Sequence, residues 1–254
     1  LLTKEGIQGE VIARSKATKQ SKALLFYLLS ILSAVLAMKT KENAFTLPLM
    51  LAMIEALFFS GKFIKRAAYL LPFMLTLLIV PLTFIDAERP VGEIIEGIES
   101  ATRHYTTTVM PRSEYFFTQL RVIVTYIRLI FLPINQNIDY DYKRYASLLE
   151  PQVFASFIFL SGIFISAIYL LYRSKNNAVL RIASFGIFWF FLALSVESSV
   201  LPIPMIICEY RTYLPGIGVF LALISGGAVL FEKLKSDRAR NVVAILVFTV
   251  PLLF

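Results

Sequence analysis

Hydrophobic and polar positions along this chain fall into long blocks, and most apolar blocks approach the length of a membrane-spanning helix. A helix needs roughly 17–25 apolar residues to cross about 30 Å of hydrocarbon. The blocks are 22–38, 44–60, 67–85, 115–132, 153–172, 182–196, 213–231 and 241–254. The pattern predicts an all-α fold, a polytopic bundle of about seven or eight hydrophobic transmembrane helices.

The polar connectors between these blocks divide into basic and non-basic ones. Residues 1–21, 61–66, 173–181 and 232–240 are basic, and the positive-inside rule assigns all four segments to the cytoplasmic face. If every block spans, simple alternation puts the last two segments on the wrong side. One crossing fewer between Arg66 and Arg173 restores agreement with the rule.

The block 115–132 is the best candidate for a helix that does not cross. Its polar residues Thr118, Arg121, Thr125 and Arg128 recur at helical spacing and form one stripe on an otherwise apolar helix. Because an arginine at mid-bilayer costs about 2.5–3.5 kcal/mol, we expect this helix to be interfacial, with its apolar side in the acyl boundary. The alternative is a spanning helix whose arginine stripe faces a wet bundle interior.

With that helix lying flat, every sizeable non-basic connector falls on the face opposite the basic segments. These connectors are 39–43, 86–114, 133–152 and 197–212. We therefore predict that they gather into one polar surface on the non-cytoplasmic side of the membrane. This clustering is the main functional indication that the pattern itself provides.

Composition excludes several classes of function. Of the 254 residues, 57% are hydrophobic and only 17% are charged, which is typical of an integral membrane protein. The formal net charge of +8 is therefore attributed to membrane topology rather than to a nucleic acid partner. The single residues Cys208 and His104 leave a disulfide framework or a Cys/His metal site short of members, so we predict no metal site. No G-x-S-x-G, Walker or H-E-x-x-H motif is present.

Two connectors carry charged residues that fit either a structural or a functional role. Glu42 stands where one helix gives way to the next, so it either caps that helix or joins Lys41 in binding a phosphate or a hydroxyl group. On an extended segment Asp139 and Asp141 would share one side, and on a helix they would not. They either bind a cation or sugar hydroxyls, or they lie in an aqueous loop between aromatic anchors.

The segment 197–212 is the most informative of the connectors. Glu197 directly follows an apolar helix, and Glu209 and Arg211 precede the helix that begins near Tyr213. The planar guanidinium fork binds phosphate oxygens in pairs, so Arg211 suits the recognition of a phosphate or pyrophosphate head group. The alternative is a structural ion pair between Glu209 and Arg211.

Four blocks of this sequence resemble the membrane portion of bacterial tetratricopeptide-repeat (TPR) membrane proteins. In order, they read AMKTKENAFTLPLMLAMIE, FFTQLRVIVTYIRLIFLPINQNIDYDY, FWFFLALSVESSVLPI and EYRTYLPGIGVFLAL. Such proteins are similar to the transmembrane and TPR-containing protein O-mannosyltransferases. The resemblance covers most of the chain, and it implies a glycosyltransferase of the GT-C superfamily whose active site is on the non-cytoplasmic face.

The resemblance also implies the partners of the protein. The donor is a sugar carried on polyprenyl phosphate, and downstream TPR repeats recruit a protein acceptor; whether a divalent cation takes part stays open. The catalytic acid of this family lies in the first outer loop, expected upstream of Leu1. Residues 1–254 are accordingly expected to form one membrane-embedded domain of a longer protein, in the bacterial inner membrane with polar loops facing the periplasm.

The site residues follow from the resemblance together with the clustering of connectors. The donor phosphate is assigned to Arg211, with Lys41 and Arg121 in support. The substrate pocket is assigned to Glu42, Asp139, Asp141, Tyr142, Glu197, Glu209 and Tyr213. Two other functions fit the pattern, a non-catalytic membrane anchor that assembles envelope proteins through its repeats, and a transporter of lipid-linked saccharide. A transporter favours charges along a path across the membrane, whereas here they gather at one surface.

Overall fold

The computed structural model describes residues 4–84, 110–137, 140–198 and 205–234, with the side chains of α1 described from residue 19 onward. Every regular element in these ranges is helical, which confirms the all-α prediction for this part of the chain. The α-helices are α1 (Lys4–Thr40), α2 (Thr46–Phe58), α3 (Phe63–Thr76), α4 (Ile79–Phe84), α5 (Arg112–Phe131), α6 (Pro151–Arg173), α7 (Ala178–Leu194) and α8 (Tyr213–Lys233). Short 3-10 turns occupy Glu42–Phe45, Ser174–Asn176 and Glu209–Thr212.

Three of the described helical stretches are long and apolar enough to cross a membrane. They are Lys19–Thr40, Pro151–Arg173 and Glu209–Glu232. Their outward faces carry large apolar side chains; in α6, for example, Ile158 and Ile165 are 56% and 63% exposed. An apolar surface of this extent is unfavourable in water and suits contact with lipid. These properties are typical of an integral membrane protein.

Other predicted spans are shorter than a membrane-crossing helix in the structure, or are divided. α2 has 13 residues and α7 has 17, and the block 67–85 is divided into α3 and α4. The division falls at residues 77–78, directly before the first turn of α4, which contains Pro81. Proline lacks an amide hydrogen and its ring crowds the preceding turn, so a new helix begins there. The block 241–254 lies outside the described residues.

Helix pairing gives the bundle two distinct ends. Ser184 of α7 donates its hydroxyl hydrogen to the carbonyl of Ala167 in α6 at 2.7 Å, and the Phe58 ring of α2 lies edge-on to Phe185 of α7 at 5.3 Å. The basic connectors that follow α2 and α6 therefore lie at the end where α7 begins. The starts of α2 and α6 lie at the opposite end. These contacts agree with the predicted separation of basic and non-basic connectors.

Helices α7 and α8 pack in direct backbone contact at two glycines. A Cβ atom on Gly186 would lie 2.7 Å from the amide nitrogen of Ala222, and one on Gly218 would lie 2.9 Å from the amide nitrogen of Phe190. Neither position has room for a side chain. Small residues let membrane helices approach closely, and this crossing brings the end of α7 beside the start of α8.

Helix α5 is packed inside the protein, so the prediction that its apolar side lies in the acyl boundary is wrong. Val122, Tyr126 and Ile130 on that side are fully buried, in a cluster that includes Phe190 and Leu194 of α7. The physical reason is that side chains of α6 and α7 and Ile207 pack against this apolar face and bury it. α5 is also absent from the helices that are apolar enough to span the membrane.

The orientation of α5 is oblique to its neighbours. Tyr115, near its start, contacts Glu197 just after the end of α7. Ile127 and Phe131, near its end, line an apolar cavity together with Ile187 of α7. Ile187 precedes Glu197 by ten residues. At a rise of 1.5 Å per residue, Ile187 lies about 10 Å from the end of α7 at Leu194. α5 therefore descends into the bundle from the end that carries the non-basic connectors.

Candidate functional site

The 3-10 turn Glu209–Thr212 fastens the non-basic connectors to one another, beginning with the carboxylate of Glu209. One oxygen, Oε1, accepts a hydrogen bond from the amide of Asn137 at 2.7 Å and another from the hydroxyl of Tyr140. Burial, with the hydrogen bond to Glu209 adding to it, raises the pKa of Tyr140 above its ordinary value. The phenol therefore keeps its proton at neutral pH and remains the donor to Glu209.

The next residue of the turn reaches the connector between α1 and α2. The ammonium group of Lys41 lies 4.6 Å from the centre of the Tyr210 ring, which is a cation–π distance. The turn thus contacts two other non-basic connectors, 39–43 through Lys41 and 133–152 through Asn137 and Tyr140, which agrees with the predicted clustering for these described residues. The fourth, 86–114, is described only from Met110 onward, and its place in the cluster stays a prediction.

Arg211, the third residue of the turn, points into the protein. Its Nε atom lies 3.1 Å from Oε2 of Glu197, with the two side chains 4% and 9% exposed, and its Nη1 donates to the carbonyl of Met205 at 3.0 Å. The Nε–carboxylate contact is ionic without hydrogen-bond alignment. The predicted alternative of an ion pair with Glu209 is wrong, because Glu197 is the partner and Glu209 faces the opposite way.

Helix α5 supplies polar partners to the connector that carries this ion pair. Its buried face includes two tyrosines and a glutamine, residue types whose polar ends need hydrogen bonds when they are buried. The bonds join Tyr115 to the carbonyl of Glu197 (2.8 Å), Gln119 to the carbonyl of Ile206 (2.9 Å) and the amide of Cys208 to the hydroxyl of Tyr126 (3.0 Å). α5 therefore supports this connector at three described residues, Glu197, Ile206 and Cys208.

The polar stripe of α5 faces an open cavity of about 600 Å³, named here the cationic cavity. Its described lining includes three cations, one carboxylate and three phenol rings. These residues are Arg121, Arg128, Lys143, Asp141, Tyr140, Tyr142 and Tyr145. The excess of positive charge creates a potential that attracts anions, and the rings offer flat apolar faces beside the charges.

The connector 140–145 is held against α5 by the threonines of the same stripe. Thr118 accepts a hydrogen bond from the amide of Tyr145 at 3.0 Å, and the hydroxyls of Thr125 and Tyr142 lie 2.9 Å apart. Burial raises the pKa of Tyr142, so this phenol is also neutral under physiological conditions. The threonines thus fix the wall of the cavity while the arginines of the stripe face its interior.

A second cavity of about 360 Å³ lies next to the first and is named here the neutral cavity. Its lining consists of Gln136, Asn137, Met205, Cys208, Glu209 and Tyr210. Tyr140 lines the cationic cavity and Glu209 lines the neutral one, so the hydrogen bond between these two side chains forms part of the wall between the cavities.

The structure distributes the predicted site residues among three places. Arg121, Asp141 and Tyr142 line the cationic cavity. Glu209 lines the neutral cavity, and Lys41 lies over the ring of Tyr210 in the lining of that cavity. Glu197 and Arg211 form the buried ion pair. Tyr213 is the first residue of α8, is 80% exposed and lines neither cavity. The side chain of Glu42, the whole of Asp139 and residue His104 lie outside the part of the chain that the structure describes.

Several lining residues were not among the predicted ones. Arg128 lies seven residues after Arg121, about two helical turns, so its position on the polar stripe was sufficient to find it. Tyr140 and Lys143 belong to the same aromatic and basic run as the predicted Asp141. Asn137 and Gln136 carried no signal, because uncharged amides are common in loops.

The described residues include no group of three or more His, Cys, Asp or Glu side chains placed to hold a metal ion. Comparison with protein-family models, with curated proteins and with solved structures finds no match for this chain.

Proposed function

We propose that this chain is the membrane domain of a glycosyltransferase that takes its sugar from a polyprenyl-phosphate donor and transfers it to a protein on the periplasmic side. The observation that carries the proposal is the cationic cavity at the end of the bundle where the non-basic connectors meet. Arg121, Arg128 and Lys143 outnumber the single carboxylate of Asp141 in its lining. An anionic phosphate suits this charge balance, and a sugar ring suits the faces of Tyr140 and Tyr142.

The reaction requires stabilisation of the leaving phosphate. The oxygen of an acceptor hydroxyl bonds to the anomeric carbon, the bond from that carbon to the phosphate oxygen breaks, and the phosphate leaves with the electron pair. Guanidinium groups aimed at the departing oxygens lower the free energy of this transition state. We assign this role to Arg121 and Arg128. The hydroxyl proton passes to a carboxylate, which enzymes of the resembled family carry in their first outer loop.

The buried arginine serves this site indirectly. The charge of Arg211 is already balanced by Glu197, and its Nη1 donates a hydrogen bond to the carbonyl of Met205. We therefore assign the donor phosphate to the arginines of α5 that line the cationic cavity. Arg211 holds the 3-10 turn from which Glu209 reaches the wall of the cavity. Lys41, above the Tyr210 ring, lies beside the neutral cavity and not in the lining of the cationic one.

Neutralising the two arginines of α5 in the intact protein tests the assignment. A hydrogen bond to a charged group contributes about 1.5–3 kcal/mol, and about 1.4 kcal/mol is a tenfold change in affinity. We therefore expect Arg121→Gln and Arg128→Gln each to weaken the binding of polyprenyl phosphate about tenfold or more. The double variant should bind more weakly than either single variant. Binding is measured with the radiolabelled lipid in detergent micelles.

The matched control is Arg173→Gln, which removes a cation near the opposite end of the bundle, where the guanidinium lies 6.0 Å from the Tyr169 ring. This variant should bind the lipid normally. Unchanged affinity in the double variant would overturn the assignment to α5. Normal lipid binding without any sugar transfer by the intact wild-type protein would instead favour the non-catalytic anchor.

A further inference from the structure

The neutral cavity differs in chemistry from the cationic cavity beside it. Its polar lining consists of the amide side chains of Gln136 and Asn137, the carboxylate of Glu209 and the ring of Tyr210. Among the described residues, no lysine or arginine lines it. The two cavities therefore suit ligands of different charge, although the hydrogen-bonded pair Tyr140–Glu209 belongs to the wall between them.

We infer that the neutral cavity binds an uncharged, hydroxyl-bearing group. The carboxylate of Glu209 opposes an anion in this space. A cation is opposed by the ammonium group of Lys41, which already lies 4.6 Å from the centre of the Tyr210 ring. A hydroxyl group carries no charge and donates to carboxylate or amide oxygens, and the aromatic ring offers a face to the carbon atoms beside it.

This inference rests on the proposed function in one respect, which is the role of the ligand. A transfer reaction needs an anionic donor and a hydroxyl acceptor in adjacent places, and the two cavities provide one place of each kind. Glu209 is then a positioning residue. Its Oε1 atom holds both Asn137, which lines the neutral cavity, and Tyr140, which lines the cationic one. An acceptor hydroxyl bound beside Glu209 therefore lies next to the donor.

A thiol placed in the cavity reports on its occupancy. Met205 lines the cavity and is 46% exposed, so Met205→Cys provides a reactive group there, in a Cys208→Ser background that leaves one thiol in this chain. The measured quantity is its rate of alkylation by N-ethylmaleimide in the intact protein. Tyr213→Cys in the same background places the matched control thiol on an exposed residue that does not line the cavity.

The probes are the neutral peptide acetyl-Gly-Ser-Thr-Gly-amide and the uncharged sugar methyl α-mannoside. At ten times its dissociation constant, a ligand leaves about one-tenth of the sites open, so we expect about tenfold slower alkylation of the thiol at 205 and an unchanged rate at 213. Protection by the peptide identifies a protein hydroxyl, and protection by the mannoside identifies a saccharide hydroxyl. A peptide with Ala and Val in place of Ser and Thr should give no protection.

Variants of the wall test the role of Glu209 separately. Glu209→Ala should abolish protection, whereas Glu209→Gln keeps an oxygen that accepts from Asn137 and Tyr140 and should retain much of it. Equal protection by the hydroxyl-free peptide, or no protection by either probe, would overturn the inference. If Met205→Cys does not fold, the same probes are tested on Gln136→Cys, since Gln136 is an exposed residue of the same lining.

The outcome is distinguishable from that of the proposed function. Polyprenyl phosphate binding at Arg121 and Arg128 is measured without an acceptor, and alkylation is measured without a donor. Normal donor binding with no protection would refute the neutral cavity alone. Protection without any donor binding would refute the glycosyltransferase assignment and leave a hydroxyl-binding site.

Discussion

Gly186→Ala and Gly218→Ala should each destabilise the protein by about 1–3 kcal/mol or more, because each adds a methyl group where two helix backbones touch. The new carbon would lie 2.7 Å from the amide nitrogen of Ala222 in the first case and 2.9 Å from that of Phe190 in the second. Both helices would have to move apart to make room. Thermal unfolding of the purified protein in detergent, followed by size-exclusion chromatography, measures the effect.

The chain offers matched controls for this prediction. Gly162 in α6 and Gly226 in α8 are helical glycines at which an added Cβ would meet no atom within 4 Å. Alanine is about 1 kcal/mol more favourable than glycine within a helix, so these two substitutions should leave the melting temperature unchanged or raise it. If all four variants melted alike, the close crossing of α7 and α8 would be refuted.

The crossing also affects the candidate site. Glu197 follows α7 and Arg211 precedes α8, so separation of the two helices pulls the ion pair apart. We therefore expect Gly186→Ala to weaken polyprenyl phosphate binding in proportion to the loss of folded protein. A folded fraction with normal affinity is the expected result at low temperature.

Arg211→Met and Glu197→Gln should each destabilise the protein by about 3–5 kcal/mol, the usual effect of removing one partner of a buried ion pair. Each change leaves the other group buried without a compensating charge, since the side chains are only 4% and 9% exposed. The double variant removes both charges. It should therefore be more stable than the sum of the single effects predicts.

An exposed ion pair provides the control for this second prediction. Lys143 and Glu150 lie 3.9 Å apart, with the lysine side chain 69% exposed, and Glu150→Gln should change stability by less than about 1 kcal/mol. The same thermal measurement serves both pairs. If Arg211→Met left stability unchanged while abolishing lipid binding, Arg211 would be the phosphate ligand and the assignment to α5 would fail.

The tertiary contacts changed the interpretation of α5 more than that of any other helix. Its polar stripe was correctly identified from the spacing of Arg121 and Arg128, because helical periodicity is a local property. The sequence did not show what covers its other face. Burial of Val122 and Ile130 depends on residues of α6 and α7 and on Ile207, which are distant in the chain, and hydropathy does not distinguish a lipid neighbour from a protein neighbour.

The partner of Arg211 illustrates the same division. Glu209 is two residues away, and proximity in the sequence favoured it. A 3-10 helix has about three residues per turn, so side chains two positions apart project in different directions. Glu209 therefore reaches Asn137 while Arg211 points inward. Glu197 becomes the nearest carboxylate only because the glycine crossing sets α7 beside α8.

The sequence by itself determined the all-helical class, the apolar character of the long helices and the separation of basic from non-basic connectors. Each of these depends on composition within one segment and on its hydrophobic period. Only the tertiary structure decided which charges are buried and which remain open to a ligand. Burial is set by contacts between segments far apart in the chain, and these contacts leave Arg121 and Arg128 facing a cavity while Arg211 is enclosed and neutralised.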